Sequence, residues 1–140
     1  MWRDLGYEWG EALAAARFRI IQHRPADEPA GADTVSWRLL ATNNRDLGRA
    51  PGGYPDTGAC RVAVRELQEG VGRAEPVTVR SGPSSWGWRL MIDDQVVAVA
   101  SRVYQRRIQA EQAAGVALDL IPVAELTGLD RNEGMPRLRR

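Results

Sequence analysis

Residues 37–67 read WRLLATNNRDLGRAPGGYPDTGACRVAVREL, and residues 88–118 repeat the pattern as WRLMIDDQVVAVASRVYQRRIQAEQAAGVAL. Trp37 corresponds to Trp88 at an offset of 51 positions, and Tyr54 corresponds to Tyr104 at an offset of 50. Such self-similarity is typical of a duplicated unit, because one copy alone cannot bury its apolar face. We therefore predict a tandem repeat whose copies pack together.

Each copy is predicted to form three strands followed by a helix, from period-two alternation and from apolar spacing of three and four residues. The first copy has predicted strands over 18–22, 35–42 and 47–50, then a helix capped by Asp56 that ends near Gly70. The second has strands over 77–80, 86–92 and 95–101, then a helix over 104–119. Residues 121–126 fit either a short closing strand or a helical turn. The predicted fold class is α+β: tandem β-β-β-α repeats in one mostly antiparallel sheet, with both helices on one face.

The repeats are predicted to form one domain over residues 1–126, with copies at 17–70 and 77–120. Residues 2–16 are predicted to form an amphipathic helix, in which Trp2 and Trp9 lie on one apolar stripe. So short a helix is marginal alone, so we expect it to dock on the domain or on a partner. Residues 127–140 have few apolar anchors and are expected to form a flexible tail.

The composition excludes several classes of function. All nineteen basic residues are arginine, and the absence of lysine excludes Schiff-base mechanisms, a phosphate-loop lysine and a serine–lysine dyad. The net charge of +1 argues against bulk electrostatic binding of polyanions. No stretch approaches the roughly 20 apolar residues of a membrane span, and acidic residues interrupt the N-terminal segment where a signal peptide needs an apolar core. We therefore predict a cytoplasmic protein with no membrane partner.

Alternation also sorts the strand side chains onto two faces of the sheet. The face predicted to lie under the helices carries Phe18, Ile20, Trp37, Leu39, Trp88 and Leu90, together with Val77 and Val79. The opposite face is predicted to carry Arg17, Arg19, Arg38, Arg80 and Arg89, together with Thr78 and a few aliphatic residues. Such a face is either a solvated surface, with arginine stems lying over the sheet, or a binding surface for carboxylates or phosphates.

The second copy resembles the YegP-like domains. The resemblance lies in VVAVASRVYQRRIQAEQAAGVALDL, with Trp88-Arg89-Leu90 before it, and in particular in Ala100-Ser101, Tyr104 and Ala110. The first copy is similar more loosely, and it has Pro51 where the serine would fall. The resemblance implies tandem β-β-β-α units in a single sheet with helices on one side. The family has no established function, so the resemblance implies no catalytic residues.

The residues that carry catalysis elsewhere give weak patterns in this chain. His23 has no second histidine to work with, and Cys60 lies on a helix stripe where its repeat counterpart is Ala110, so it is expected to fill a small core site. Asp93-Asp94 fits a hairpin turn better than a metal site, because no third carboxylate lies nearby. Glycines around Arg49 match no nucleotide-binding fingerprint. We predict no catalytic residue, metal or cofactor.

Three hypotheses for binding follow. The first is a non-enzymatic interaction module that binds a protein partner, or a second copy as a homodimer, through the outer sheet face, the Trp2/Trp9 helix or a strand edge. The second is nucleic-acid binding through Arg19, Arg38, Arg80 and Arg89. The third is a small-ligand site between the copies near Tyr54 and Tyr104, which are predicted to open the two helices.

Overall fold

The structure is a computed structural model, and it describes residues 16–23 and 34–127. Seven strands form one sheet: β1 (Arg17–His23), β2 (Thr34–Ala41), β3 (Arg45–Arg49), β4 (Glu75–Gly82), β5 (Ser85–Ile92), β6 (Gln95–Ala100) and β7 (Glu125–Thr127). Two helices, α1 (Thr57–Gly70) and α2 (Arg107–Leu120), follow β3 and β6. The strand order is β4-β5-β6-β3-β2-β1-β7, and every pair is antiparallel except the parallel pair β1–β7. The α+β architecture is therefore confirmed.

The turns form where the sequence supplies residues that tolerate left-handed backbone. Asp93 and Asp94 have φ angles of 51° and 65°, which is the geometry of a two-residue hairpin turn. Between β2 and β3 the chain makes a 3₁₀ turn over Thr42–Asn44, with Asn44 at φ 59°. The predicted hairpin about the aspartate pair is confirmed, and the third strand begins at Arg45 rather than Leu47.

The hydrophobic core lies between the sheet and the two helices. Trp37, Trp88 and Phe18 are fully buried there, and the rings of Phe18 and Trp37 meet edge to face at 5.2 Å. The first helix contributes Cys60, Val64 and Leu67, whereas the second contributes Ala110, Ala114, Ala117 and Leu120. The prediction that both indoles turn inward is confirmed.

The two halves share several local features of backbone pairing. The β2–β3 ladder shifts register between Leu39 and Leu40, and the β5–β6 ladder shifts between Leu90 and Met91, which lie 51 positions further on. The main chains of Tyr54 and Tyr104 form isolated bridges to Val35 and Trp86. Where the halves meet, β3 pairs with β6 through Arg49 and Val99, which lie 50 positions apart.

The C-terminal end of the described chain returns to the beginning of the sheet. β7 pairs in parallel with β1, the amide of Glu125 donates to the carbonyl of Ala16 at 3.1 Å, and the hydroxyl of Thr127 donates to the carbonyl of Phe18 at 3.2 Å. Gln68 of α1 holds the connection, because its side-chain amide donates to the carbonyls of Ile121 and Ala124, each at 2.9 Å. Both alternatives for residues 121–126 are present in part, because the amides of Ile121 and Ala124 continue the helical pattern by bonding to Ala117 and Leu120, and the closing strand follows at 125–127.

The faces assigned to β4 by alternation are wrong. Thr78 pairs directly with the buried Trp88, and Arg80 pairs with Trp86, so both lie on the helix side of the sheet. Val77 and Val79 pair with Arg89 and Gly87 and lie on the opposite face. The register of the β4–β5 hairpin is irregular between Arg80 and Gly82, and such a bulge reverses the face of every side chain before it.

Candidate binding face of the sheet

A line of arginines crosses the sheet face that lies opposite the helices. The register pairs Arg19 with Arg38, Arg38 with Arg49, Arg49 with Val99, and Val99 with Arg89. Residues directly opposite each other in a sheet share a face. We call Arg19, Arg38, Arg49 and Arg89 the arginine row, and the face that carries them the outer face.

The row has a spacing that the strands dictate. Neighbouring strands lie about 4.8 Å apart, so the Cα atoms of Arg19 and Arg49 are about 10 Å apart and those of Arg49 and Arg89 are separated by a similar distance. The side chains of Arg19, Arg49 and Arg89 are exposed, and that of Arg38 is half-buried. Four guanidinium groups therefore lie within about 20 Å on a face that is open to solvent along this row.

One carboxylate approaches the row from the same face. Asp46 lies on β3 opposite Leu40, and its Oδ2 atom accepts a hydrogen bond from Nη1 of Arg38 at 2.5 Å. Within the described part of the chain, no carboxylate lies within 4.0 Å of the guanidinium groups of Arg19, Arg49 or Arg89. Like charges placed directly opposite in a sheet destabilise it by roughly 0.2–1 kcal/mol per pair. The row therefore carries uncompensated positive charge.

An apolar patch continues the outer face toward β4. It consists of Val77, Val79, Met91, Val96 and Val99, which the registers of β4, β5 and β6 place on one side. Val77 is 40% exposed, and the other four are half-buried. The outer face is thus basic over β1–β3 and largely apolar over β4–β6, where Arg89 and Glu75, which pairs with Met91, are the charged residues.

Arg49 is a member of the row that the sequence analysis missed. Strict alternation along β3 places Arg49 on the same face as Leu47, which is buried. The bulge opposite Leu39 and Leu40 makes Leu47 an extra residue, which enters the core. Gly48 and Arg49 then pair with Leu39 and Arg38, so the side chain of Arg49 lies on the outer face. The glycine after Leu47 is the signal that could have indicated the bulge.

Arg80 does not belong to the row. It lies on the helix side of β4, with its guanidinium carbon 5.4 Å from the ring centre of Trp86, while Arg107 of α2 lies 5.8 Å from the same ring. The Arg80 side chain also donates to the carbonyls of Gly82 and Pro83, at 3.3 and 2.8 Å. These contacts hold the end of the β4–β5 hairpin, and the predicted grouping of Arg80 with Arg89 is wrong.

Tyr54 and Tyr104 occupy corresponding places in the two halves. Their main chains pair with Val35 and Trp86, so both residues are extended, and the helices begin three residues later, which corrects the prediction that the tyrosines open them. Burial raises the pKa of each hydroxyl, and the rise is partly offset by the indole of Trp37 at Tyr54 and by the charge of Arg102 at Tyr104. At the start of α1, the carboxylate of Asp56 accepts a hydrogen bond from the amide of Ala59 at 2.7 Å. A side-chain carboxylate therefore occupies the N-terminus of this helix, where a ligand anion would otherwise bind.

The fold of this chain is similar to folds already determined by solution NMR. A UPF0339 protein from Shewanella oneidensis matches with a TM-score of 0.64 at 9% sequence identity, over 85% of this chain and 97% of that chain. The protein yegP from E. coli, described as of unknown function, matches with a TM-score of 0.55 at 15% identity, over 81% and 91% of the two chains. The fold is YegP-like. No family model and no curated protein matches the sequence, so the similarity extends to the fold alone.

Cys60 and the Asp93-Asp94 pair lie apart from the outer face of this YegP-like fold. Cys60 is fully buried, and burial raises the pKa of its thiol to about 11, so the thiol stays protonated and fills the core as predicted. Asp93 forms an exposed ion pair with Arg73 at 2.9 Å. In residues 16–23 and 34–127, no three His, Cys, Asp or Glu side chains are grouped so that they could hold a metal ion.

Two further predictions from the sequence concern the ends of the chain. Trp2, Trp9, the helix predicted over residues 2–16 and the tail beyond Thr127 lie outside the described residues. No helix in the described part of the chain has both the length and the apolar character needed to cross a membrane.

Proposed function

We propose that this protein is a non-enzymatic, cytoplasmic interaction module, and that its outer face binds an acidic segment of a partner protein that also carries apolar side chains. The observation that carries the proposal is the arginine row beside the apolar patch on one exposed face. The free, buried thiol of Cys60 is compatible with a reducing compartment.

The arginine row supports recognition of carboxylates. A guanidinium group presents parallel N–H donors that match a carboxylate, and Asp46 already accepts one hydrogen bond from Arg38 within the protein. Arg19 and Arg49 flank Arg38 on neighbouring strands, so a partner carboxylate between them would relieve repulsion as well as form hydrogen bonds. The favourable change on binding is then larger than for an isolated arginine.

The apolar patch supports a protein partner over a nucleic acid. Protein interfaces combine an apolar centre with arginine, whereas sheets that bind single-stranded RNA stack its bases on exposed aromatic side chains. The described aromatic residues of the strands, Phe18, Trp37, Trp86 and Trp88, all lie on the helix side of the sheet. Nucleic-acid binding remains the second candidate, because four aligned guanidinium groups also suit a phosphate backbone.

We also infer that the two halves arose from one duplicated unit. The matching ladder irregularities and tyrosine bridges, at offsets of 50 and 51 positions, support this inference. Under this correspondence, Arg38 is equivalent to Arg89, whereas Arg49 is equivalent to Val99. The outer faces of the two copies would then have diverged, one toward charge and the other toward apolar contact.

The proposal is tested by fluorescence anisotropy with two labelled probes, a peptide of alternating glutamate and valine and a single-stranded oligouridylate. Arg49→Ser removes one charged donor and is expected to weaken peptide binding by roughly tenfold or more, because a hydrogen bond to a charged group contributes about 1.5–3 kcal/mol. Arg65→Ser, on the exposed surface of α1, is the matched control and is expected to bind normally.

Val77→Ser separates the two candidates. It should weaken binding of the peptide and leave binding of the oligonucleotide unchanged, because only the peptide has apolar side chains for the patch. If only the oligonucleotide binds, and its affinity falls steeply with salt, the second candidate replaces the first. If neither probe binds at low salt, the outer face is an ordinary solvated surface and the proposed function is wrong.

A further inference from the structure

Among residues 16–23 and 34–127, the sheet has two edge strands, β4 and β7. β4 is eight residues long, and no described strand lies beyond it. β7 is only three residues long and pairs with Arg17–Arg19 of β1. An uncovered strand of eight residues presents unpaired amide and carbonyl groups, which are a template for pairing with another strand.

The main-chain pairing of Trp86 indicates which amide and carbonyl groups of β4 face this edge. Its amide and carbonyl both bond to Tyr104, at 2.7 Å each, on the side of β5 away from β4. Arg80, opposite Trp86, is therefore in a pair without hydrogen bonds, and its own amide and carbonyl point to the open edge. By alternation, the main-chain groups of Thr78 and Pro76 also point to the open edge, whereas the main-chain amides and carbonyls of Val77 and Val79 bond to β5.

Pro76 limits what the edge can bind. Proline has no N–H, and its nitrogen faces outward here, where the β4–β5 ladder does not need a donor. The open edge thus offers amide donors at Thr78 and Arg80, and carbonyl acceptors at Pro76, Thr78 and Arg80. A strand that pairs here must supply acceptors and donors in the matching order.

We propose that a second copy of this chain pairs with β4 in antiparallel orientation, with Thr78 of each copy at the two-fold axis. The amide of Thr78 donates to the carbonyl of the partner's Thr78, and the amide of Arg80 donates to the carbonyl of the partner's Pro76. With the reciprocal bonds, four hydrogen bonds join the copies. Each proline contributes an acceptor, which is all it can contribute.

The side chains favour this register. A two-fold interface must be self-complementary. On the outer face, the exposed Val77 lies opposite the partner's half-buried Val79, so each Val77 is covered, and on the helix side the two threonines pair. If the register between the two β4 strands moves by two residues toward the β4–β5 turn, the two Arg80 side chains become diagonal neighbours and repel each other. If it moves by two residues the other way, only two of the four hydrogen bonds between the copies remain within Pro76–Arg80.

Sedimentation velocity of the full chain, from about 10 to about 500 µM, tests the proposal in the range expected for a small interface. The expected result is a dimer fraction that rises with concentration. Thr78→Pro removes the central donors and spares the β4–β5 ladder, so it should weaken dimerisation by about tenfold or more. Thr78→Val keeps the amide and is the matched control.

Pro76→Thr should strengthen dimerisation, because the amide that it introduces faces the carbonyl of the partner's Arg80. It should tighten the dimer by about tenfold. Val77→Lys, at an exposed position, weakens the dimer even if Thr78→Pro fails to fold, and circular dichroism reports folding of each variant. A chain that stays monomeric throughout the range, or a dimer that neither Pro76→Thr nor Val77→Lys alters, overturns the proposal. Arg49→Ser leaves dimerisation unchanged, which separates dimerisation from binding by the arginine row.

Discussion

Gly48 lies where β3 passes closest to the buried indole of Trp88. A Cβ atom at Gly48 would lie 2.9 Å from Cη2 of Trp88 and 3.2 Å from the carbonyl oxygen of Val99. Trp88 is 2% exposed and the second atom belongs to the main chain, so neither can move without disturbing the core. We expect Gly48→Ala to lower the free energy of unfolding by about 1–3 kcal/mol, the usual cost of overpacking. This outweighs the roughly 0.4–1 kcal/mol gained because alanine restricts the unfolded chain.

Urea unfolding followed by circular dichroism measures this change, and Gly115→Ala is the matched control. Gly115 lies inside α2, and a Cβ atom there would have no neighbour within 4 Å. The same substitution should therefore raise the free energy of unfolding by about 0.5–1 kcal/mol, through helix propensity alone. If Gly48→Ala is as stable as the parent chain, the indole of Trp88 does not pack against β3, and the described core is wrong.

Three further predictions concern stability. The pKa of Cys60 is raised to about 11, so its contribution to stability is complete below the ordinary thiol pKa and is lost as pH rises toward 11; urea titrations should show a fall in this window that Cys60→Ala reduces, and the raised pKa values of Tyr54 and Tyr104 account for the rest. Gln68→Ala leaves the carbonyls of Ile121 and Ala124 without their donor, which should cost about 1–3 kcal/mol and speed amide exchange in β7. Arg49→Thr should raise stability by roughly 0.2–1 kcal/mol at low salt, and the gain should shrink in 1 M NaCl.

Alternation predicted the faces of β2 and β5 correctly because each strand carries a large indole that has to be buried. It failed for β4, where Val77 and Val79 read as core residues. The register irregularity before Gly82 reverses their face, and only the hairpin geometry reveals it. Alternation also missed Arg49, because the bulge at Leu47 reverses the faces of the residues that follow it in β3.

The starts of the helices illustrate a second limit. Tyr104 was predicted to begin the second helix, but its main chain is bonded to Trp86 and is therefore extended. This contact joins residues 18 positions apart and leaves no mark on local propensity. Asp56, by contrast, was identified as a cap from its own chemistry, and its carboxylate caps α1.

The three-residue strand at the end of the described chain blunts the edge of the sheet on its side. With Glu125–Thr127 in place, the edge strand there is three residues long, against eight residues at β4, and a very short edge strand is a poor template for further pairing. A chain that ended before Glu125 would expose Ala16 and Phe18 as a second site on the far side. Pairing of β4 in one copy with β1 in the next is head to tail, and such contacts give open fibres unless the rotation between copies closes a ring, so the truncated chain should form assemblies larger than a dimer.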